Sequence, residues 1–260
     1  MTVQDKGIVV TGAGHGIGRA LAARMAAEGG RVVVNDIDAD AAAAAAAAIG
    51  GHAVPGDLGT EEGVAALVAA ARAELGAIDV WFANAGIDRG HGLDAPEEDW
   101  EAALGINVLS HVRAARLLVP DWVERGGGRF VATASAAGLL TMLGSPVYSV
   151  TKHAAVAFAE WLSATYRHRG VVVQAICPQG VRTRMLDGAG PLQELLSHDS
   201  AISPEDVAEA VWQALQDDRF LILPHPEVAG YYATRATEPD RWLHGMNKLQ
   251  RRLEDRGAFS

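Results

Sequence analysis

The sequence predicts a doubly wound α/β fold, a parallel sheet of about seven strands with helices on both faces. Two observations predict it. Short β-branched runs alternate with longer Ala- and Leu-rich stretches along the chain, which is the rhythm of strand–helix–strand units. The runs are apolar at consecutive rather than alternate positions, as expected for strands covered on both sides. In order, the strand signals fall at 8–11, 32–35, 80–83, 130–133, 171–177 and 220–223. The gaps between them are long enough for crossover helices. The alanine run 41–48 reads as one of these, because alanine has the highest helix propensity.

With 260 residues, 49% of them hydrophobic, the chain can bury a full core. It has no Pro/Ser-rich linker and no long repeat period. One domain over 1–260 is expected, with about 226–260 forming a helical C-terminal extension. There Trp242, Met246, Leu249 and Leu253 recur at helical spacing, and Thr237, Pro239 and Asp240 read as a helix start. That apolar stripe must bury against something, either a subunit interface or the mouth of a substrate site.

A formal net charge of −10 repels phosphate backbones and anionic lipid, which argues against nucleic acid or a membrane as partner. Cys177 is the single cysteine, so neither an intrachain disulfide nor a cysteine zinc site is available, and no metal is expected. The start of the chain, MTVQDKGIVVTGAG, is unlike a signal peptide or a membrane span, so a cytoplasmic location is expected.

The first strand runs into Thr11-Gly12-Ala13-Gly14-His15-Gly16-Ile17-Gly18 and then an alanine-rich helix. Glycines here allow a tight turn beneath a pyrophosphate at a helix N-terminus. Position 17 is isoleucine, so the spacing is T-G-x-x-x-G-x-G, with Gly12, Gly16 and Gly18 as its glycines, in place of the G-x-G-x-x-G of other Rossmann-type turns. A bare strand-to-helix turn is the competing reading. Asp36 closes the second strand, where a carboxylate can accept hydrogen bonds from an adenosine ribose and would repel a 2′-phosphate. Neither His15 nor Ile37 offsets that repulsion with a permanent positive charge, and Asp38 and Asp40 add to it. NAD is therefore expected over NADP.

Tyr148 and Lys152 form an i, i+4 pair in Tyr148-Ser149-Val150-Thr151-Lys152, on one face of a helix that continues to Arg167. Lowering a phenol from a pKa near 10 to about 7 takes roughly 4 kcal/mol. One cation at about 4 Å supplies approximately that at an effective dielectric near 20. A surface pair is the plainer alternative.

These residues occur in company. TGAGHGIG, Asp57-Leu58, Asn84-Ala85-Gly86, Asn107, Ser135, YSVTK and Pro178-Gln179-Gly180-Val181-Arg182-Thr183 follow one another in an order that resembles the short-chain dehydrogenase/reductase family over about the first 225 residues. The resemblance implies an oxidoreductase that moves a hydride between a nicotinamide cofactor and an alcohol or ketone. It implies Tyr148 as general acid/base, Ser135 as the hydroxyl that polarises the substrate oxygen, and Lys152 as the group that lowers the phenol pKa and holds the nicotinamide ribose. By the same likeness Asn107 would hold a proton-relaying water, and Asp57 and Leu58 would meet the adenine. Asn84, Ala85 and Gly86 would line the cofactor groove with His15 and Ile17, while Val181 and Thr183 would fix the carboxamide. Family members are usually dimers or tetramers, so a homo-oligomer is implied, and the helix from Pro146 offers Ala154, Ala155, Ala157 and Phe158 for it.

Gln179 stands where the family usually has glycine, and it either contacts substrate or points away. Leu139, Leu140, Met142, Leu143, Met185, Leu186, Leu192, Leu195 and Leu196 would make the substrate's surroundings apolar, or would simply pack a lid. Arg89, His91, Arg182 and Arg184 would meet a carboxylate or be solvated. A catalytically silent NAD-binding regulator of the same fold is the rival to a dehydrogenase. Substrate identity and direction are not legible.

Overall fold

In the computed structural model, residues 2–187 and 201–257 are described. Leu192, Leu195 and Leu196 lie outside them. Seven strands make one parallel sheet in the order β3-β2-β1-β4-β5-β6-β7: β1 (Gly7–Val10), β2 (Arg31–Val34), β3 (His52–Ala53), β4 (Val80–Ala83), β5 (Gly128–Thr133), β6 (Val171–Ile176) and β7 (Leu221–Ile222). The helices are α1 (Gly16–Ala27), α2 (Ala39–Ile49), α3 (Glu61–Leu75), α4 (Glu97–Leu104), α5 (Ser110–Glu124), α6 (Pro146–Tyr166), the short α7 (Arg184–Asp187), α8 (Pro204–Asp217), α9 (Glu227–Thr237) and α10 (Pro239–Glu254).

Alternation along each strand sorts its side chains into two cores. Ile8, Val10, Val32, Val34, Val80 and Phe82 point to one face and pack with α1, α2 and α8. Val9, Val33, Trp81, Ala83, Phe130 and Ala132 point to the other and pack with α3, α5 and α6. Both faces are thus buried, which is why the strands read as continuous apolar runs. Strand order reverses at β1, which has β2 on one side and β4 on the other. The crevice beyond the carboxyl ends of such neighbours is where ligands bind in doubly wound sheets.

The stretch Glu97–Glu124 is long and apolar enough to cross a membrane by length and composition alone, yet half of its most apolar window is buried. It is a core helix: Ala114, Leu118 and Trp122 of α5 pack on the sheet. A π-helical turn at Gly105–Leu109 joins α4 to α5 and carries Asn107.

The six strand signals leave out one of the seven strands, and two expectations need correction. β3 is a two-residue strand with both residues exposed, so it has no apolar run to give it away. The C-terminal extension holds two helices, α9 and α10, and the second starts at Pro239 with Glu238 as its N-cap. Thr237 is the last residue of α9, and its hydroxyl donates back to the Ala233 carbonyl at 2.9 Å. Ala155, one of the small residues offered for assembly, is instead fully buried in the core.

The β5–β6 part of the sheet carries a buried charge. Arg129 of β5 is 4% exposed and donates to Gln174 on β6 and to Asp218 at the end of α8. Gln174 in turn donates to the Ala214 and Arg219 carbonyls at 2.9 and 2.8 Å. Breaking a buried pair by removing one partner typically costs 3–5 kcal/mol, and Asp218 is partly exposed, so Asp218→Ala is expected to destabilise the fold by about 2–3 kcal/mol. Urea denaturation measures this, and a loss below about 0.5 kcal/mol would contradict it.

Candidate active site

The carboxyl ends of β1, β4, β5 and β6 open into a cavity of about 740 Å³. Gly12, His15, Gly16, Ile17, Gly18, Asp36, Asp57, Leu58, Asn84, Ala85, Gly86, Ser135, Tyr148, Lys152, Val181 and Thr183 all line it. The structure therefore brings together every catalytic and cofactor-binding residue named from the sequence except Asn107, which is buried.

Two glycines make the turn between β1 and α1 possible. Gly12 has φ +59°, and a Cβ there would lie 2.8 Å from the Ala85 Cα. At Gly18 a Cβ would lie 2.3 Å from the Gly12 carbonyl oxygen and 2.5 Å from Asn84 Nδ2. Helix α1 then begins at the cavity with no side-chain cap and no acidic residue in its first turn. Its first N–H groups and the positive end of its dipole are left for an anionic group. A dinucleotide fits this cradle, because side chains at those positions would fill it. Asp36 stands beside it, its carboxylate accepting from Gly14 N at 2.9 Å and from Asp38 N at 3.1 Å. The cations that line the cavity are Arg89, Lys152 and Arg184, none of them on β2 or the turn after it.

Tyr148 and Lys152 project from the first turns of α6, whose start is set by Pro146 at its first position. Lys152 is 3% exposed, and its Nζ donates to the Thr133 carbonyl at 2.9 Å. Burial pushes its pKa down to about 8. The Lys152 ammonium lies 5.4 Å from the centre of the Tyr148 ring. The phenol is pushed up to about 12, chiefly by burial, with a hydrogen bond to Ser135 opposing the shift and the Asp88 charge adding to it. Burial of the phenol thus outweighs its hydrogen bond to Ser135. Ser135 reaches the same point from the loop after β5, where its Oγ accepts from Ala137 N at 3.1 Å. Cys177 is buried close by, its thiol pushed up to about 12 and so neutral.

Asn107 does not offer a free amide. Its Nδ2 donates to the Ile87 carbonyl at 2.9 Å and to Thr151 Oγ1 at 3.0 Å, and its Oδ1 accepts from Ile87 N at 2.9 Å. The side chain latches the loop after β4 to α6. Of the four groups considered for a carboxylate, Arg89 and Arg184 line the cavity. Arg182 donates to the Ala201 carbonyl, and His91 pairs with Ser145 at 2.9 Å.

Other lining residues were not singled out from the sequence. Asp88 is one, a lone loop carboxylate with no pattern to mark it. His225 is another kind of omission: it is 2% exposed, and its Nδ1 accepts from Gln179 N at 3.1 Å. That bond fixes the main chain at Gln179, which lines the cavity. Met246 and Leu249 of α10 also line it, and Leu253 packs against Met142, Leu143 and Leu249. The C-terminal stripe thus lies over the mouth of its own chain's cavity. Arg235 of α9 secures the arrangement by donating to the Leu139 carbonyl at 2.8 Å. Among the described residues no group of three or more His, Cys, Asp or Glu is placed to hold a metal.

Residues 6–193 match the family model for short chain dehydrogenase. The chain belongs to that family. A 1-deoxy-11-beta-hydroxypentalenate dehydrogenase of Streptomyces exfoliatus is 37% identical over 253 residues, covering 94% of this chain and 91% of that protein. A 2,5-dichloro-2,5-cyclohexadiene-1,4-diol dehydrogenase of Sphingobium indicum is 37% identical over 208 residues, covering 78% of this chain and 80% of its own length. Among solved structures, a short chain dehydrogenase/reductase from Burkholderia phymatum in complex with NAD superposes with a TM-score of 0.85 at 28% identity, covering 92% of this chain and 96% of its own.

The mouth generates a prediction. Removing residues 227–260 takes away the contacts that cover Met142 and Leu143, so the truncated protein is expected to raise the fluorescence of a hydrophobic dye several-fold over the full chain. Dye fluorescence no higher than that of the full chain would show that the extension covers nothing.

Proposed function

We propose that the protein is a cytoplasmic, NAD-preferring oxidoreductase that interconverts a small, largely apolar secondary alcohol and its ketone, with Tyr148 as general acid/base. One observation carries the reading. A phenol from α6, a hydroxyl from the β5 loop and a buried ammonium one helical turn from the phenol meet in a cavity whose other end is a glycine cradle for a dinucleotide. The names of the two relatives, a 1-deoxy-11-beta-hydroxypentalenate dehydrogenase and a 2,5-dichloro-2,5-cyclohexadiene-1,4-diol dehydrogenase, support a hydroxyl-bearing substrate.

Bound nicotinamide would give or take the hydride at the substrate carbon. The chain's own groups handle the proton. With its pKa raised, the Tyr148 phenol is protonated at neutral pH and is ready to donate to a carbonyl oxygen as it gains negative charge. In the oxidative direction the same oxygen accepts the proton of the alcohol. Ser135 donates its hydroxyl to the substrate oxygen and holds it beside the phenol. Lys152, with a pKa of about 8, remains mostly charged at pH 7. Its bond to Thr133 uses one N–H and leaves two for a ribose or for stabilising a phenolate. Asn107 acts by position, since it locks the loop after β4 against α6. Asp36 favours a free ribose hydroxyl and repels a 2′-phosphate. A homo-oligomer is also proposed. The exposed Trp161 stacks on Phe158 along α6 beside an apolar groove walled by Val119 and Val123 of α5, which supports assembly through these two helices.

Tyr148→Phe removes the only oxygen that transfers the proton and leaves the cavity's shape. It is expected to cut kcat by about 10²- to 10⁴-fold with little change in NAD affinity. Turnover within a few-fold of the parent would reject Tyr148 as the acid/base. The sign of the pH dependence follows from the raised phenol: oxidation needs the deprotonated oxygen and gains with rising pH, whereas reduction uses the protonated one and loses. Rates measured in both directions across pH check this.

Asp36→Ala removes both a ribose partner and a source of repulsion. It is expected to lower kcat/KM with NAD and raise it with NADP, narrowing their ratio at least tenfold. Equal use of the two cofactors by the parent protein would overturn the NAD assignment.

A further inference from the structure

We infer that His225 is a positioning residue for the proton-handling end of the site: by holding the Pro178–Gln179 peptide it keeps the Ser135 hydroxyl aimed at the substrate oxygen. This deepens the reading of Ser135 as the group that polarises that oxygen and rests on it.

One peptide plane makes the link. The Pro178 carbonyl and the Gln179 N–H belong to the same planar trans unit and point in opposite directions. On one side the carbonyl accepts from Ala136 N at 2.8 Å and lies 3.5 Å from Ser135 Oγ. On the other side the N–H donates to His225 Nδ1 at 3.1 Å. Turning the plane at either end turns it at both, so the imidazole sets where the carbonyl stands against the serine loop. The contact to Ser135 is longer than an ordinary O–H···O bond. It keeps the hydroxyl nearby without consuming its single proton, which stays available for a substrate oxygen. Tyr148 is hydrogen-bonded to the same Ser135, so a shift of the serine reaches the phenol as well.

His225 is itself firmly placed. It stands between β7 and α9, 2% exposed, and its carbonyl accepts from the N–H of Val228, a fully buried core residue, at 3.2 Å. The neighbouring strand end is fixed by Cys177 N, which donates to the Ile222 carbonyl at 2.9 Å. An N–H in such surroundings needs a partner, and an imidazole with its proton on Nε2 offers one at Nδ1. The far half of the loop is held by other bonds. The Gly180 carbonyl accepts from Ile202 N at 3.2 Å, and Arg182 N donates to the Ile202 carbonyl at 2.9 Å. Loss of the imidazole therefore falls on the Ser135 side of the loop and spares Val181, which lies between those two bonds.

The test follows NAD reduction in a single turnover, with whichever of cyclohexanol, cyclopentanol and menthol the parent oxidises, and NAD affinity by calorimetry. His225→Phe keeps a ring and removes the acceptor. His225→Gln sets its acceptor one bond farther out and takes the place of the Phe variant if that variant does not bind NAD. His225→Asn keeps an oxygen where Nδ1 stands. His225→Phe is expected to slow the step by about 10- to 100-fold, with NAD affinity changed by less than about threefold, and His225→Asn restores most of the rate. In a Ser135→Ala background, already slowed, adding His225→Phe costs less than about threefold more, because the hydroxyl it positions is gone. A loss below about tenfold in the parent background, no recovery in His225→Asn, or losses that multiply fully in the double variant would overturn the inference. Failure of the underlying reading looks different: Ser135→Ala turns over like the parent, and the inference falls with it. If none of the alcohols is oxidised, crystal structures of the NAD-loaded parent and His225→Phe proteins decide. Displacement of Ser135 Oγ by about 0.5 Å or more supports the role of His225, and an unmoved hydroxyl rejects it.

Discussion

The site depends on one side chain that handles no proton. Asn84 sits where β4 ends, and its amide ties three neighbouring segments together. Nδ2 donates to the Thr11 and Gly12 carbonyls at 2.9 and 3.2 Å, and Oδ1 accepts from Thr133 Oγ1 at 3.0 Å. The main-chain N–H groups of Asn84 and Ala85 both donate to Thr11 Oγ1, at 2.8 and 2.9 Å. The Thr133 carbonyl then takes the Lys152 ammonium. The glycine turn, the end of β5 and the start of α6 are in this way held by a single polar network, and buried networks of this kind are rigid when every member is satisfied. Because Gly18 lies within a Cβ's reach of Asn84 Nδ2, the shape of the turn and the position of Lys152 are linked through the same amide.

Burial explains the resting electrostatics of the site. Tyr148 and Lys152 are pushed in opposite directions, up to about 12 and down to about 8, because each pays to be charged in a dry environment. The protein alone keeps the phenol neutral. A positive charge brought in beside it would shift the balance, since an opposite charge within a few ångströms favours ionisation. The acid/base pair is therefore tuned by what enters the cavity as well as by the helix that carries it.

Local chemistry made part of this legible in the sequence. The strands of the sheet interior show as apolar runs because both faces are covered, and the T-G-x-x-x-G-x-G turn shows because tight packing against Ala85 and Asn84 excludes side chains. Tyr148 and Lys152 show as an i, i+4 pair. Ser135, Asn107 and Val181 have no such local mark and were visible only through resemblance to a family. β3 escaped because two exposed residues carry no hydrophobic signal, and Thr237 misled because Thr-Glu-Pro-Asp has the composition of a helix start while α9 runs on through it. The direction faced by the Trp242 stripe, the bond between His225 and Gln179 and the raised phenol of Tyr148 depend on residues distant in sequence. Periodicity can say that a face is apolar, but not what it meets.

The placement of α10 joins distant parts of the chain. Met246 and Leu249 lie far along the sequence from the nucleotide turn and Asn84, yet they line the same cavity. Closing the pocket therefore carries the loop-closure cost of a contact between segments distant in sequence. A tail that closes the pocket without touching the proton-handling groups can also change in length or composition with little penalty to chemistry. The wall that the tail adds to the pocket is thereby separate in sequence from the groups that handle the proton.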